Sequence, residues 1–355
     1  MDTTDAHFKI TKSSLPTKKV AVLVLNYNGL GFLGDCLKSL ERLNYPNYEV
    51  ILVDNASSDG SVEYVRQNFS WVKIVAHQSN YGPCEGYNRA IQYADGDYLA
   101  FLNSDIVVDS NWLAELVRAA EEYQADICGS KILLCGKPQL INYSGAKITP
   151  IGVGYCLDFG MPQNQANDRT KPTITGATGG AAMAIKRETF TRLGGFDPDY
   201  FWGSEETDLC WRAWLYGYRV IQVPSSIAYH RSGGSWVGRH SPMRIFYGQK
   251  NRLANIIKYF GLVNLVKGLA ISLVYDMVMI VRLLLRGEFK ALAALAKGNF
   301  QFIRELPRSL KKRQEVQRNR QISDKKLYQL GLIAPLRECI AEWVRLEKIP
   351  LQRGN

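Results

Sequence analysis

From position 20 the chain repeats one pattern: a short apolar run, a polar stop, then apolar positions at helical spacing. Residues 20–25 (Val-Ala-Val-Leu-Val-Leu) are continuous and β-branched, as expected of a strand buried on both faces of a parallel sheet. Asn26-Tyr-Asn-Gly29 ends that run, and Leu33, Leu37 and Leu40 follow on one helical face. A second strand over 50–53 stops at Asp54-Asn-Ala-Ser-Ser-Asp-Gly60, with Ser61 predicted to cap a helix carrying Val62 and Val65. A third strand over 72–75 leads to Asn80-Tyr-Gly82 and a helix through Ala90, Ile91 and Ala94. The fourth strand spans 98–102.

Strands alternating with helices at these intervals predict right-handed βαβ units, an α/β fold with a mostly parallel central sheet flanked by helices. Ligands of such sheets bind beyond the carboxyl ends of the strands. The polar groups at 26–28, 54–59, 80–82 and 103–105 all fall there, so four strand ends converge on one edge.

Further along, the pattern changes. Residues 135–175 hold no steady period and read as loops, short edge strands and a flap. Order returns with an apolar run over 181–185, a helix from Arg187 and a turn at Gly194-Gly195. A helix over 205–214 is closed by Gly217, and a strand over 218–223 closes at Pro224. From Arg244 onward the spacing is helical. Residues 262–285 are dense in Leu, Val, Ile and Met, yet Lys267, Asp276 and Arg282 interrupt them, and each costs about 2.5–3.5 kcal/mol at the centre of a membrane span. An in-plane amphipathic helix docked on a membrane, or a helical cap packed on the protein, accounts for the segment better.

Charge sharpens the division. Residues 231–355 hold 24 Lys and Arg against 8 Asp and Glu, leaving 20 against 25 for residues 1–230, so the net charge of +11 belongs to the last third. A basic helical tail without interleaved aromatics points to anionic lipid rather than nucleic acid. The expected organisation is a flexible stretch over 1–17, a catalytic domain over 18–255 and a basic amphipathic extension over 256–355. Seven cysteines without a CxxC pair read as reduced cytosolic thiols, and the polar first 19 residues lack a secretory signal. Together these place the protein in the cytoplasm, peripheral on the inner face of the cell membrane.

Three sets of residues carry candidate chemistry. Asp105, in a turn after a buried strand, suits a divalent cation that in turn holds phosphate oxygens, or else caps a turn. Asp54 suits a base or ribose, or an Asx turn with Ser57 or Ser58. Glu205, Glu206 and Asp208 crowd a helix start, where the dipole favours negative charge and mutual repulsion raises a pKa toward that of a general base. His230 ends a strand at a loop mouth, a setting for a metal ligand or phosphate donor. His7, His77 and His240 have no such setting.

The ordered series Val-Leu-Asn-Tyr-Asn-Gly29, Val-Asp54-Asn-Ala-Ser-Ser-Asp-Gly-Ser61, Asn80-Tyr-Gly82 with Asn88-Arg-Ala90, and Phe-Leu-Asn-Ser-Asp105 resembles the inverting family 2 glycosyltransferases of GT-A fold. Thr178-Gly-Gly-Ala181, Gly194-Gly-Phe-Asp197, Glu205-Glu-Thr-Asp-Leu209 and Gly217-Tyr-Arg-Val220 extend the likeness over about 18–255, toward the rhamnosyltransferase-like branch. The resemblance implies a nucleotide-diphosphate sugar donor bound by Asn26, Tyr27, Asn28, Asp54 and Asn55, with Asn80 and Asn88 lining its site. Asn103 and Asp105 match the family's DXD position, and His230 a histidine completing a Mg2+ or Mn2+ shell. Gly179 and Gly180 would let backbone approach the sugar. Glu206 matches the family's base, commonly Asp, so Glu205 or Asp208 is an alternative base. The acceptor implied is a glycan or lipid-linked hydroxyl. A sugar-phosphate nucleotidyltransferase would show a Gly-rich basic loop after the first strand, which Asn26-Tyr-Asn-Gly29 is not. A catalytically silent nucleotide-sugar-binding protein would not need the acids at 105 and 205–208.

Overall fold

The computed structural model describes residues 18–166, 170–231 and 241–347. The stretch expected to be flexible, 1–17, and His240 lie outside them, as does the loop after Arg231 as far as 240.

The first half follows the apolar pattern closely. Strands β1 (Val20–Asn26), β2 (Tyr48–Asp54), β3 (Lys73–Ala76) and β4 (Tyr98–Asn103) alternate with helices α1 (Leu30–Glu41), α2 (Ser61–Asn68) and α3 (Gly82–Ala90). They pair in parallel in the order β3-β2-β1-β4. The predicted face of α1 is the buried one: Leu33, Leu37 and Leu40 are fully enclosed, each worth about 1.5–3 kcal/mol of transfer free energy. The N-terminus of α2 departs from expectation. Gly60 precedes it in the left-handed conformation, and Asp59, not Ser61, supplies the cap by accepting from the Ser61 amide at 3.0 Å. The other Asp59 oxygen accepts from the Leu30 amide at 2.9 Å, so one carboxylate finishes two helices.

The sheet then turns mixed. Beyond Asp105 a short strand β5 (Ile106–Val108), unforeseen in the sequence, precedes α4 (Trp112–Glu122). Strand β6 (Ile127–Leu134) is followed by β7 (Lys137–Tyr143), β8 (Ala146–Ile148), β9 (Gly154–Cys156) and β10 (Thr173–Ile174), which form the flap. Strand β11 (Ala182–Lys186) runs antiparallel between β4 and β6, and joins the parallel half to the rest. Helices α5 (Arg187–Arg192) and α6 (Glu205–Leu215) lead to β12 (Val220–His230). Strand β12 does not close at Pro224. It bulges between Val223 and Ile227, then continues beside β6 to His230, because a bulge tolerates the missing proline N–H. Among the described residues the main sheet has ten strands, with β10-β12-β6-β11-β4-β1-β2-β3 as its spine.

Two apolar layers sandwich this sheet. On one face Leu23, Ile51 and Phe101 meet α3, α6 and Tyr259; on the other Val22, Val24 and Leu52 meet α1 and Trp112 of α4. The remainder is helical: α7 (Pro242–Tyr259), α8 (Leu262–Leu285), α9 (Phe289–Asn319), α10 (Asp324–Gln329) and α11 (Leu336–Glu347). The boundary expected between 255 and 256 falls inside α7, whose last turns pack against Trp211 of α6. Helix α8 is long and apolar enough to cross a membrane by length and composition. Its charges are sorted by face, however. Asp276 turns inward to Arg252 and Gln249, while Leu262, Val266 and Leu273 are each more than 60% exposed.

Candidate active site

The carboxyl ends of β1, β2 and β4 form one rim of the site. Asn26 closes β1 fully buried, donating from Nδ2 to Asp54 Oδ1 at 2.9 Å and to Ser57 Oγ at 3.0 Å. Asp54 also accepts from the Ser57 amide and hydroxyl, at 2.9 and 2.6 Å. The Asx turn with Ser57 is therefore present, and Asn26 and Asp54 are 0 and 1% exposed. Both are expected to touch a nucleotide; here they form a layer beneath the strand-end surface, with Asp54 taken up by Asn26 and Ser57 and with Asn26 Oδ1 buried and unpartnered among the described residues. Tyr27 and Asn28 are what this layer presents outward: Tyr27 is 53% exposed, and Asn28, with φ of 52°, accepts from the Ser58 amide at 2.8 Å.

Two other expected contacts are similarly inward. Asn55 is buried and donates to the Gly82 carbonyl at 3.0 Å. Asn88 grips the Phe196 backbone with both ends of its amide, at 2.8 and 3.0 Å, which makes it a brace between α3 and the turn before α6 rather than a wall of the cleft. Asn80 accepts from the Gly82 amide at 2.9 Å. Gly82 itself has φ of 72°, and a Cβ there would come within 2.6 Å of the Phe201 carbonyl, so only glycine permits this approach. The nucleotide rim and the turn leading to Glu205 thus touch at Gly82.

Asp105 follows Asn103-Ser104 at the end of β4 and sits beside β5, which pairs Ile106 with His230. That pairing brings the two candidate ligands together: His230 Nε2 lies 3.0 Å from Asp105 Oδ2, and its Nδ1 lies 3.1 Å from Asn142 Oδ1 on β7. His230 is 8% exposed, and the Asp105 side chain 21%. Asn142 was invisible to sequence reasoning because the flap carries no period. Its contact fixes the imidazole from behind, as outer partners of metal ligands do. No group of three or more His, Cys, Asp or Glu able to hold a metal occurs among the described residues. One carboxylate and one imidazole nevertheless suit a Mg2+ or Mn2+ ion that takes its remaining oxygens from phosphate and water.

The acids lie on the adjoining rim. Asn103 donates its amide to the Ala181 carbonyl at 3.0 Å, and Gly180, one residue earlier, faces Glu206: a Cβ on Gly180 would be 3.3 Å from the Glu206 Cβ. Gly179 packs against Ile132 and Tyr143. Burial pushes the Glu206 carboxyl up to about 8, with the Glu205 charge adding to it, and burial likewise raises Glu205. One Glu205 oxygen is buried without a hydrogen-bond partner.

Asp208 faces the other way. It is fully buried and bound by Arg212 at 2.8 Å, by the Lys258 ammonium and by the Tyr259 hydroxyl. Lys258 also holds Asp197 at 2.8 Å, and Lys312 of α9 holds Asp197 and, at 2.6 Å, Asp199. With three partners and no exposure, Asp208 is built as an anchor, in contrast to the alternative base expected of it. The turn before α6 is braced too: Asn251 of α7 donates to the Trp202 and Gly203 carbonyls at 3.0 and 2.7 Å, where Gly203 and Ser204 both take positive φ. Asn251, Asn255 and Lys258 recur at i, i+4 and i+7 on one face of α7, and all three are buried.

Behind His230 opens a largely apolar cavity of about 570 Å3, walled by Tyr143 and Tyr155 of the flap, by Arg252 of α7, and by Tyr275 and Met279 of α8.

Comparison with known proteins agrees with this geometry. Residues 21–194 match the family described as glycosyl transferase family 2, and residues 165–232 match one described as the N-terminal domain of galactosyltransferase. Probable N-acetylgalactosaminyltransferase 9 of Caenorhabditis elegans is 27% identical over 225 residues, which are 59% of this chain and 39% of that one. Rhamnosyltransferase WbbL of Escherichia coli (strain K12) is 27% identical over 205 residues, 54% of this chain and 77% of that one. The chain spans about a third of the length of the N-acetylgalactosaminyltransferases it matches. Among solved structures, GalNAc-T7 with UDP, GalNAc and Mn2+ superposes with a TM-score of 0.56 at 21% identity, covering 69% of this chain and 48% of the other. Mannosyltransferase PcManGT from Pyrobaculum calidifontis, in complex with GDP-Man and Mn2+, gives 0.52 at 18% identity, covering 81% and 87%. The fold is GT-A, and the likeness to glycosyl transferase family 2 runs over residues 21–194.

Proposed function

We propose that this glycosyltransferase family 2 domain transfers a sugar, rhamnose being the first candidate, from a nucleotide-diphosphate donor to a hydroxyl of a lipid-linked glycan acceptor, with inversion. The observation that carries the reading is the meeting of two unlike acid sites across Gly180–Ala181: the Asp105–His230 pair and the buried Glu206 with its raised pKa.

Tyr27 and Asn28 face the nucleotide, and the buried Asn26–Asp54–Ser57 layer fixes their backbone. Asn103 and the Gly179–Gly180 backbone border the donor sugar. Asp105 and His230 would hold Mg2+ or Mn2+, with Asn142 keeping the imidazole in place; the bound cation would neutralise the diphosphate as it leaves. Glu206 accepts the proton of the acceptor hydroxyl while that oxygen attacks the anomeric carbon from the face opposite the diphosphate. Its raised pKa serves this task, since a base that titrates near 8 draws a hydroxyl proton more strongly than an ordinary carboxylate. Glu205 holds the pair's second charge close and keeps that pKa up.

The acceptor's apolar chain fits the cavity behind His230, which leads from the reaction edge to Tyr275 and Met279 of α8. On the far side of α8, the exposed apolar stripe lies flat on an anionic membrane, flanked by Arg286, Lys290 and Lys297. Seven cysteines, all free, support a reducing compartment and therefore the cytoplasmic face of that membrane.

Thermal shift with Mn2+ and a panel of nucleotide sugars identifies the donor, and transfer is then measured for Asp105→Ala and Glu206→Gln. Loss of donor stabilisation in the first and of transfer alone in the second is expected. Near-normal turnover in either would sink that residue's role. Addition of EDTA, followed by Mn2+, tests the cation requirement.

A further inference from the structure

A second cavity lies on the other side of the flap. It encloses about 350 Å3 between β6, β12 and the segment around Asp158–Asn164. Strand β7 separates the two cavities: Ile141 lines this one, while the next residues, Asn142 and Tyr143, line the one that holds His230.

Its polar lining is unfinished. Gln222 on β12 is 1% exposed, yet neither its amide oxygen nor its amide nitrogen has a hydrogen-bond partner among the described residues. A glutamine in the middle of a sheet with both ends unsatisfied destabilises the fold relative to a leucine of similar size. The Lys131 ammonium on β6, half-buried, has no hydrogen-bond or ion-pair partner among the described residues, and burial lowers its pKa. Asp158 accepts from the Ser144 hydroxyl at 3.0 Å across the same space, and Thr170 adds a hydroxyl.

These groups define a ligand chemistry. An ammonium only donates, a carboxylate only accepts, and an amide does both. Neighbouring hydroxyls on one ring satisfy all three at once, because each donates and accepts. Among the described residues no aromatic side chain lines the cavity, which removes the stacking surface a nucleobase would use. Its size is at the lower end of the ~300–1,000 Å3 of small-molecule sites, enough for a single sugar ring but tight for a whole sugar nucleotide.

We propose that this cavity is a second saccharide subsite, which takes one neutral, hydroxyl-rich sugar unit through Gln222, Lys131 and Asp158. Its position across β7 from His230 and Asn142 suits a unit of the acceptor glycan that reaches round the flap. That placement rests on the glycosyl-transfer reading; the binding itself rests on the polar set alone.

Saturation-transfer NMR on the full chain, with methyl α-rhamnoside, methyl α-mannoside and N-acetylgalactosamine as probes, tests the binding, and phosphorus-NMR line broadening of inorganic phosphate serves as control. At least one saccharide should bind, and Gln222→Leu and Lys131→Met should each weaken it about tenfold. Gln222→Leu should also raise Tm, because it removes two unsatisfied groups, and both variants should retain nucleotide-sugar hydrolysis. Three results overturn the proposal: no saccharide bound by the wild type, binding unchanged in both variants, or Lys131-dependent binding of phosphate without any saccharide. Hydrolysis of nucleotide sugars by the wild type is scored separately. Its absence would defeat the transfer reading and leave the saccharide result to be judged alone.

Discussion

Asp105 and Glu206 flank the Gly180–Ala181 backbone from two sides, through Asn103 and through Gly180, but the protein holds them by different physics. On the Asp105 rim the supports are neutral: turns at strand ends, asparagine amides, a serine hydroxyl and an imidazole, with the carboxylate itself partly open to water. On the Glu206 rim the supports are buried ions. Lys258, Arg212 and Lys312 bind Asp208, Asp197 and Asp199, and two of these cations come from the C-terminal helices. Although burial alone would raise the Asp197 pKa, Lys258 and Lys312 hold it well below the usual carboxylate range. The first rim should therefore lose activity with little loss of stability, whereas damage beneath the second should reach both.

The sharpest separation is expected from Glu206→Gln. Transfer should fall about 10²–10⁴-fold, the contribution of a positioned general base, while donor binding by calorimetry stays intact. Lys258→Met comes next and strikes beneath the same rim. It leaves Asp208 and Asp197 short of a buried counter-charge, and chemical denaturation should show a loss of about 3–5 kcal/mol. Asp105→Ala should cost about 10²–10³-fold in turnover with a Tm near that of the wild type. A Tm loss as large as that of Lys258→Met would erase the contrast.

Two smaller effects refine it. Transfer, followed as kcat/KM, should rise with pH toward about 8 as Glu206 loses its proton. Stability should move in the opposite direction. Between its ordinary value of 4.5 and about 8, Glu206 keeps a proton in the folded state that the unfolded chain has released, so stability falls as pH rises through that window. Glu206→Gln should flatten both trends. Finally, Asp59→Ala removes the cap shared by α1 and α2 and should cost about 1–2 kcal/mol in denaturation while leaving kcat within a few-fold.

The same contrast explains what the sequence made legible. The donor rim is written in strand-end motifs, because each apolar run and the polar turn that stops it are contiguous; the convergence of 26–28, 54–59 and 103–105 could be read directly. Their depth could not. Asn26, Asp54 and Asn88 have residue types suited to ligands, and only tertiary packing turns their amides and carboxylates inward. The partners of Asp208 on α7 lie some 50 residues from it, and helical spacing alone does not say which element a lysine at 258 will meet. Strand β12 was cut short at Pro224 for a related reason, since a proline ends most strands and the bulge that absorbs this one depends on β6 beside it. Crowding at 205–208 did announce a raised pKa, and the structure supplies burial as its larger cause.

Lys258 also governs how the chain could be taken apart. A fragment ending at 255 would retain Asp105, His230 and Glu206, yet Asp208 would keep only Arg212 of its three partners, and Asp197 would lose both of its cations. The helices after 255 are in this sense a counter-ion reservoir for the catalytic half. A chimera that grafted another protein's tail at that point would need to supply an ammonium at the position of Lys258 before any recognition surface on the tail mattered.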